Sequence, residues 1–244
     1  MGKWRGRRGV LITFEGVEGS GKSTQCARLA KLLREAGYRV LETREPGGTP
    51  LAERIRDIFL ASTTGANIAE PMTPECEALL VYACRSQHVA HVIAPALWEG
   101  AVVLCDRFVD STLAYQGYGR ALNLAALRSL NRFATDGLMP DLTLLFDVPV
   151  GIGLARRRRE RDTELNRLDR ETHRFHERVR RGFLTLARRT PRRIKVLDGT
   201  HDPATVAAQV AAIAKKFLSK SHKVVKPKSL NAPISRPRLS NFQT

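Results

Sequence analysis

A parallel β-sheet covered by helices on both faces, the α/β class, is predicted by three features of this 244-residue sequence. Apolar runs suited to buried strands occur five times, each alternates with a stretch of helical periodicity, and the first run feeds a glycine-rich loop that opens into a helix. Such alternation favours parallel pairing, because each crossover lays its helix back on the sheet. With 43% hydrophobic residues, a chain of this length can bury one full core.

The elements follow in order. Val10, Leu11, Ile12 and Phe14 suit a buried strand, and a helix after the loop keeps Cys26, Leu29, Ala30, Leu32 and Leu33 on one side until Gly37 stops it. Residues 39–43 form a second short strand, turn formers fill 44–49, and 51–60 resume a helix. Residues 62–71 are polar and irregular. A long helical pattern spans 74–98, with Pro95 as a kink or the start of a new turn, and Gly100 breaks it. Residues 102–105 make a third strand ending at Asp106 and Arg107, and 110–119 read as a polar loop segment. A helix over 124–136, a strand over 142–146, and helices over 151–159 and 168–189 around a charged interruption come next. A strand over 194–197 and an alanine-rich helix over 203–217 close the domain.

The chemistry begins in the first loop. Gly16, Val17, Glu18, Gly19, Ser20, Gly21, Lys22, Ser23 and Thr24 match the phosphate-binding pattern G-x-x-x-x-G-K-[S/T]. Its glycines let several backbone N–H groups converge at a helix N-terminus, a ready anion site. Lys22 is placed to reach the β- and γ-phosphates of a nucleotide, and the Ser23 hydroxyl to sit on Mg²⁺. Asp106, at a strand's carboxyl end, is placed to hold that ion or its water shell. These parts define a P-loop NTPase fold.

Arginines gather at strand and loop ends: Arg44, Arg85, Arg107 and the run from Arg156 through Arg157, Arg158 and Arg159 to Arg161. A guanidinium grips phosphate through a planar fork, and a reaction with phosphate on donor and acceptor needs several. The run lies between two helices, where a lid that excludes water is expected, at about 153–167. Thr112, Tyr115 and Gln116, just after Asp106 and Arg107, offer a ring wall and an amide able to read a base edge.

Lysine and arginine number 41 against 24 acids, a net charge of +17. The excess lies mainly in a basic N-terminal extension (1–9), the lid run and a basic tail (219–244), leaving 10–218 as the catalytic domain. The tails could touch nucleic acid, but the motifs lie outside them, so a nucleic-acid-dependent ATPase is the rival and not the prediction. A guanine switch is disfavoured further by the lack of Asn-Lys-x-Asp to read guanine. No apolar run is long enough to span a membrane and the N-terminus lacks a signal-peptide core, so a cytoplasmic protein with no membrane contact is expected. Cys26, Cys76, Cys84 and Cys105 read as buried thiols.

Five motifs in order resemble the thymidylate kinase family over about residues 10–215: FEGVEGSGKST, TREPGGTPLAERIR, EALLVYACRSQHV, DRFVDSTLAYQG and PDLTLLFDVP. The resemblance implies transfer of the γ-phosphoryl of ATP to dTMP with Mg²⁺, by a homodimer joined through its long helices. It implies that Glu18 contacts the sugar 3′-hydroxyl, and that Arg107 and Arg44 hold the acceptor phosphate. Arg85, Gln116 and Thr112 would face the thymine, while Tyr115 crowds the 2′ side. Where relatives often carry a stacking phenylalanine this sequence has Val81, so either Tyr82 substitutes or the base is held less tightly. Because the loop position some members fill with arginine is Gly19, a lid arginine is expected at the transferring phosphate: Arg156 or Arg158 as catalytic, with Arg157 and Arg161 on ATP.

Overall fold

The computed structural model describes residue 4 and residues 6–61, 70–159 and 166–221. Strands β1 (Val10–Glu15), β2 (Val40–Arg44), β3 (Val102–Asp106), β4 (Leu142–Asp147) and β5 (Ile194–Asp198) form one parallel sheet in the order β2-β3-β1-β4-β5. The chain moves from β1 outward to β2, returns through β3, then crosses to β4. Strand order therefore reverses beside β1, and a crevice opens at the carboxyl ends there.

Nine α-helices are assigned among the described residues: α1 (Lys22–Glu35), α2 (Pro50–Leu60), α3 (Pro74–His88), α4 (Ala94–Trp98), α5 (Val109–Thr112), α6 (Leu124–Thr135), α7 (Val150–Arg159), α8 (His173–Arg189) and α9 (Pro203–Lys220). Side-chain period two splits the central strand between faces. Val10, Ile12 and Phe14 join Leu29 and Leu33 of α1 and Val206 and Val210 of α9 in one core, while Leu11 packs with Val103, Ile93 and Leu97 on the other side. A third cluster, with Val81, Tyr82, Leu127, Phe175, Val179 and Phe183, ties α3, α6 and α8 together beside the crevice.

The long stretch over 74–98 is helical throughout, but a π-helical turn (Val89–Ile93) separates α3 from α4. That loosening lies just before Pro95, whose missing N–H cannot continue the tighter ladder.

Two expectations are corrected. Residues 110–119 are not a polar loop: α5 runs into a π-helical segment (Leu113–Gly119) in which Asp110, Thr112, Tyr115 and Gln116 are buried. Their polar groups misled because each finds a partner inside the protein. The second concerns the thiols: Cys26, Cys84 and Cys105 are buried, but Cys76 is exposed on the first turn of α3.

Trp4 and Arg7 are docked on the body of the protein. Arg7 is buried and donates from Nη2 to Asp141 Oδ2 at 2.6 Å, and the Trp4 ring stacks on Trp98 at 6.4 Å. At the other end α9 continues through Lys220, two residues into the stretch read as tail, and 222–244 lie outside the described residues. Among the described residues no helix is long and apolar enough to cross a membrane.

Candidate active site

The phosphate loop spans the gap between β1 and α1. Helices α2, α3, α6, α8 and α9 begin with side-chain caps from Thr49, Thr73, Asn123, Thr172 and Asp202. Helix α1 differs: Gly21 precedes it at φ 87° and supplies no side chain, so its first N–H groups are left for a ligand. Lys22 folds back over the loop, donating to Val17 O at 2.8 Å and Ser20 Oγ at 3.2 Å. Burial, then the nearby Arg107, bring the Lys22 ammonium down to about 8, against the pull of Asp106, Glu18 and Glu15.

Gly19 has a steric reason. It sits at φ 66°, and a Cβ there would lie 2.0 Å from Gly153 O of α7; a Cβ on Gly153 would lie 2.5 Å from Glu18 O. Loop and helix meet backbone to backbone, which leaves no room for a loop arginine.

Ser23 Oγ donates to Asp106 Oδ2 at the crevice. Two hard oxygen donors of this kind suit Mg²⁺, which keeps several waters and takes its other ligands from substrate phosphates. No group of three or more His, Cys, Asp or Glu able to hold a metal occurs among the described residues.

Opposite the loop, the β3 turn presents Arg107 at φ 67°. Its Nη1 donates to Gly16 O at 2.9 Å and Ser111 Oγ at 3.2 Å, its Nη2 to Glu18 Oε1 at 3.2 Å, and its guanidinium lies 5.0 Å over the Tyr115 ring. Burial pulls this guanidinium down, but Tyr115, Glu18 and Asp106 outweigh it and raise it above its ordinary value. Glu18 Oε1 also accepts Tyr115 OH at 2.5 Å. Glu18 Oε2 has no hydrogen bond, although His176 Nδ1 lies 3.3 Å away. Burial raises the Glu18 carboxyl, yet His176, Arg107, Lys22 and Tyr115 prevail and take it down to about 2.

Beyond Tyr115 the wall is a chain of buried charge pairs. Arg85 spends Nε on Glu45 Oε2 (2.8 Å), Nη1 on Asn131 and Nη2 on Phe108 O and Thr112 Oγ1. Gln116 Nε2 donates to Glu77 Oε1 at 2.7 Å, and Glu77 also takes Arg120 and Arg167. Burial would raise the Glu77 carboxyl, but Arg120, Gln116 and Arg167 lower it. Arg44 forms a two-toothed pair with Glu53.

The cleft between these groups has a volume of about 430 Å³, with Glu53, Glu77, Arg120, Asn131, Arg167 and His176 set behind its lining. Of the expected residues, Glu18, Gly19, Gly21, Lys22, Ser23, Thr24, Arg44, Val81, Arg85, Asp106, Arg107, Thr112, Tyr115, Gln116 and Arg157 reach it. Gly16, Val17 and Ser20 support it through their oxygens. Tyr82 does not reach it: its hydroxyl donates to Leu127 O at 2.7 Å in the core behind Val81. Of the lid arginines, Arg157 faces the cleft and pairs with Asp169, Arg156 turns to Gly199 O at 2.7 Å, Arg158 is exposed, and Arg161 lies outside the described residues.

Sequence reasoning missed Glu15, Glu45, Arg56, Asp169 and His176. Glu45 and Arg56 carried a signal, lying within the Arg44-Glu45-Pro46 stretch and the helix after it. Glu15 and His176 carried none beyond a polar residue in an apolar strand or helix.

A phosphate loop, an acid at the next strand end and a second cationic pocket in one cleft define a phosphotransferase of the P-loop kinase class. A family profile described as "Thymidylate kinase" matches residues 14–210. Thymidylate kinases of Thermomicrobium roseum and Geobacter sulfurreducens are each 53% identical, over 87% and 84% of this chain and 98% and 96% of theirs. The crystal structure of thymidylate kinase from Ehrlichia chaffeensis is similar with a TM-score of 0.65 and 33% identity, covering 86% of this chain and 98% of that one. The chain belongs to the thymidylate kinase family.

Proposed function

We propose that the protein transfers the γ-phosphoryl group of ATP to dTMP, giving dTDP and ADP. One observation carries this reading: the loop that would hold the donor and the Arg107–Glu18–Tyr115 cluster that would hold the acceptor are tied together, Arg107 to Gly16 O at 2.9 Å, across one cleft. Two phosphorylated molecules seated there meet end to end, and positioning with charge neutralisation can supply most of the catalysis.

Within this reading Lys22 and the α1 N-terminus bind the donor phosphates, and Arg157 reaches them from the lid side. Arg107 and Arg44 bind the acceptor phosphate, and Glu18 orients the sugar. Arg85, Thr112 and Gln116 face the base, with Val81 as an apolar contact; Tyr115 fills the space a 2′-hydroxyl would need. Ser23 and Asp106 would hold Mg²⁺, which when bound would supply charge neutralisation at the phosphates. Leu79 of α3 and Phe133 of α6, 55% and 89% exposed, support a homodimer through these helices, for which sedimentation equilibrium should give twice the chain mass.

Coupled detection of ADP with dTMP, dUMP, AMP and shikimate as acceptors tests the function. The highest kcat/KM is expected with dTMP; equal rates with AMP, or turnover that requires DNA or RNA, would remove the assignment.

A further inference from the structure

Glu15 is the last residue of β1 and adjoins Gly16 of the phosphate loop, yet its side chain serves the opposite half of the cleft. It has no exposed surface. Its Oε1 accepts the N–H of Phe108 at 2.8 Å, and its Oε2 accepts the Ser111 hydroxyl at 2.5 Å. Those partners bracket Arg107. Phe108 follows it in the chain, and Ser111 Oγ receives its Nη1 at 3.2 Å.

The turn needs such a clamp. Arg107 occupies the left-handed region at φ 67°, where an L side chain is strained and persists only if its surroundings fix it. Arg107 N donates to Phe14 O at 3.0 Å, which anchors the backbone before the strained residue; Glu15 anchors it after. Without the carboxyl, Phe108 N–H would be a buried donor with no acceptor, and the turn could relax by swinging the guanidinium away. The other charged groups nearby are engaged elsewhere. Asp110 pairs with Arg193 at 2.6 Å, and Lys22 is folded onto Val17 O. Burial, then Asp110, push the Glu15 carboxyl up against Ser111, Arg107 and Phe108 N–H; glutamine keeps an oxygen for the Phe108 N–H and can donate from Nε2 to Ser111 Oγ, so it is a close copy.

We propose that Glu15 is a positioning residue for the acceptor: from the donor strand it clamps the strained turn, so that Arg107 faces the cleft in register with the phosphate loop. This rests on Arg107 being the acceptor-phosphate anchor.

Three variants, Glu15→Gln, Glu15→Met and Arg107→Ala, are compared by titrating dTMP at saturating ATP and ATP at saturating dTMP, with thermal melts to check folding. Glu15→Met is expected to raise KM for dTMP by about tenfold or more while KM for ATP stays within about threefold, and Glu15→Gln to stay within about threefold on both. A folded Glu15→Met with unchanged dTMP kinetics, equal damage to both substrates, or a glutamine variant as impaired as the methionine one would each overturn the proposal. Arg107→Ala with normal dTMP kinetics would instead remove the reading beneath it. If Glu15→Met does not fold, Ser111→Ala decides: a dTMP-selective rise in KM supports the clamp, and no rise overturns it.

Discussion

The donor loop and the acceptor wall face each other across one cleft but are made of different material. The loop offers backbone N–H groups, three glycines at positive φ and one lysine, all within nine consecutive residues. The wall is made of side chains from β1, β2, α3, α5 and the π-helical segment after it, linked through the buried pairs Arg85–Glu45 and Arg120–Glu77. A backbone site is sensitive to added atoms. A side-chain network is sensitive to removed ones, since each deletion leaves a buried partner unsatisfied.

Substitutions on each side should separate these behaviours. The largest effect belongs to Lys22→Ala, expected to lower kcat by at least ~10² because a charge aimed at the transferring group is lost from a partly desolvated site. Its backbone cradle remains, so displacement of a fluorescent ATP analogue should change far less; an unchanged kcat would break the donor assignment. Gly19→Ala tests the opposite sensitivity. A left-handed alanine costs about 1–2 kcal/mol before any clash, and 1 kcal/mol shifts Tm by about 2–4 °C at this size, so a lower Tm and a selectively raised KM for ATP are expected.

On the wall, Tyr115→Phe removes one hydroxyl from the Glu18 carboxylate. A hydrogen bond to a charged group contributes about 1.5–3 kcal/mol, so KM for dTMP should rise roughly tenfold with KM for ATP unmoved. Equal changes in both would mean that the two halves are not separable. Tyr82→Phe is the smallest: loss of the bond to Leu127 O should cost about 1 kcal/mol of stability, a fall in Tm of about 2–4 °C, and nothing in dTMP kinetics, whereas a raised KM for dTMP would return Tyr82 to the base site.

The same contrast explains what could be read from the sequence. The five strands, their parallel pairing and the phosphate loop were legible because short apolar runs, helical periodicity between them and glycine spacing are all local signals. Arg44, Arg85, Arg107 and Gln116 stand in the motifs that carried the resemblance, and they line the cleft. The partners that fix them, Glu53, Glu45, Glu15 and Glu77, were not assigned, since pairing between residues such as Glu15 and Ser111 arises only when β1 and β3 lie side by side. Residues 110–119 looked solvent-facing for the same reason: their polar atoms pair with groups from Glu15 to Arg193, which local composition does not encode. Arg156 and Arg157 differ by one position, and the helical rotation of 100° between neighbours sends one to Gly199 and the other to the cleft.

The backbone contact between Gly19 and Gly153 has a mechanical consequence. The arm that carries Arg156 to Arg159 is pinned at its root to the nucleotide cradle, so it cannot lift as a free flap. The reach of Arg157 into the cleft therefore depends on two missing methyl groups on facing backbones.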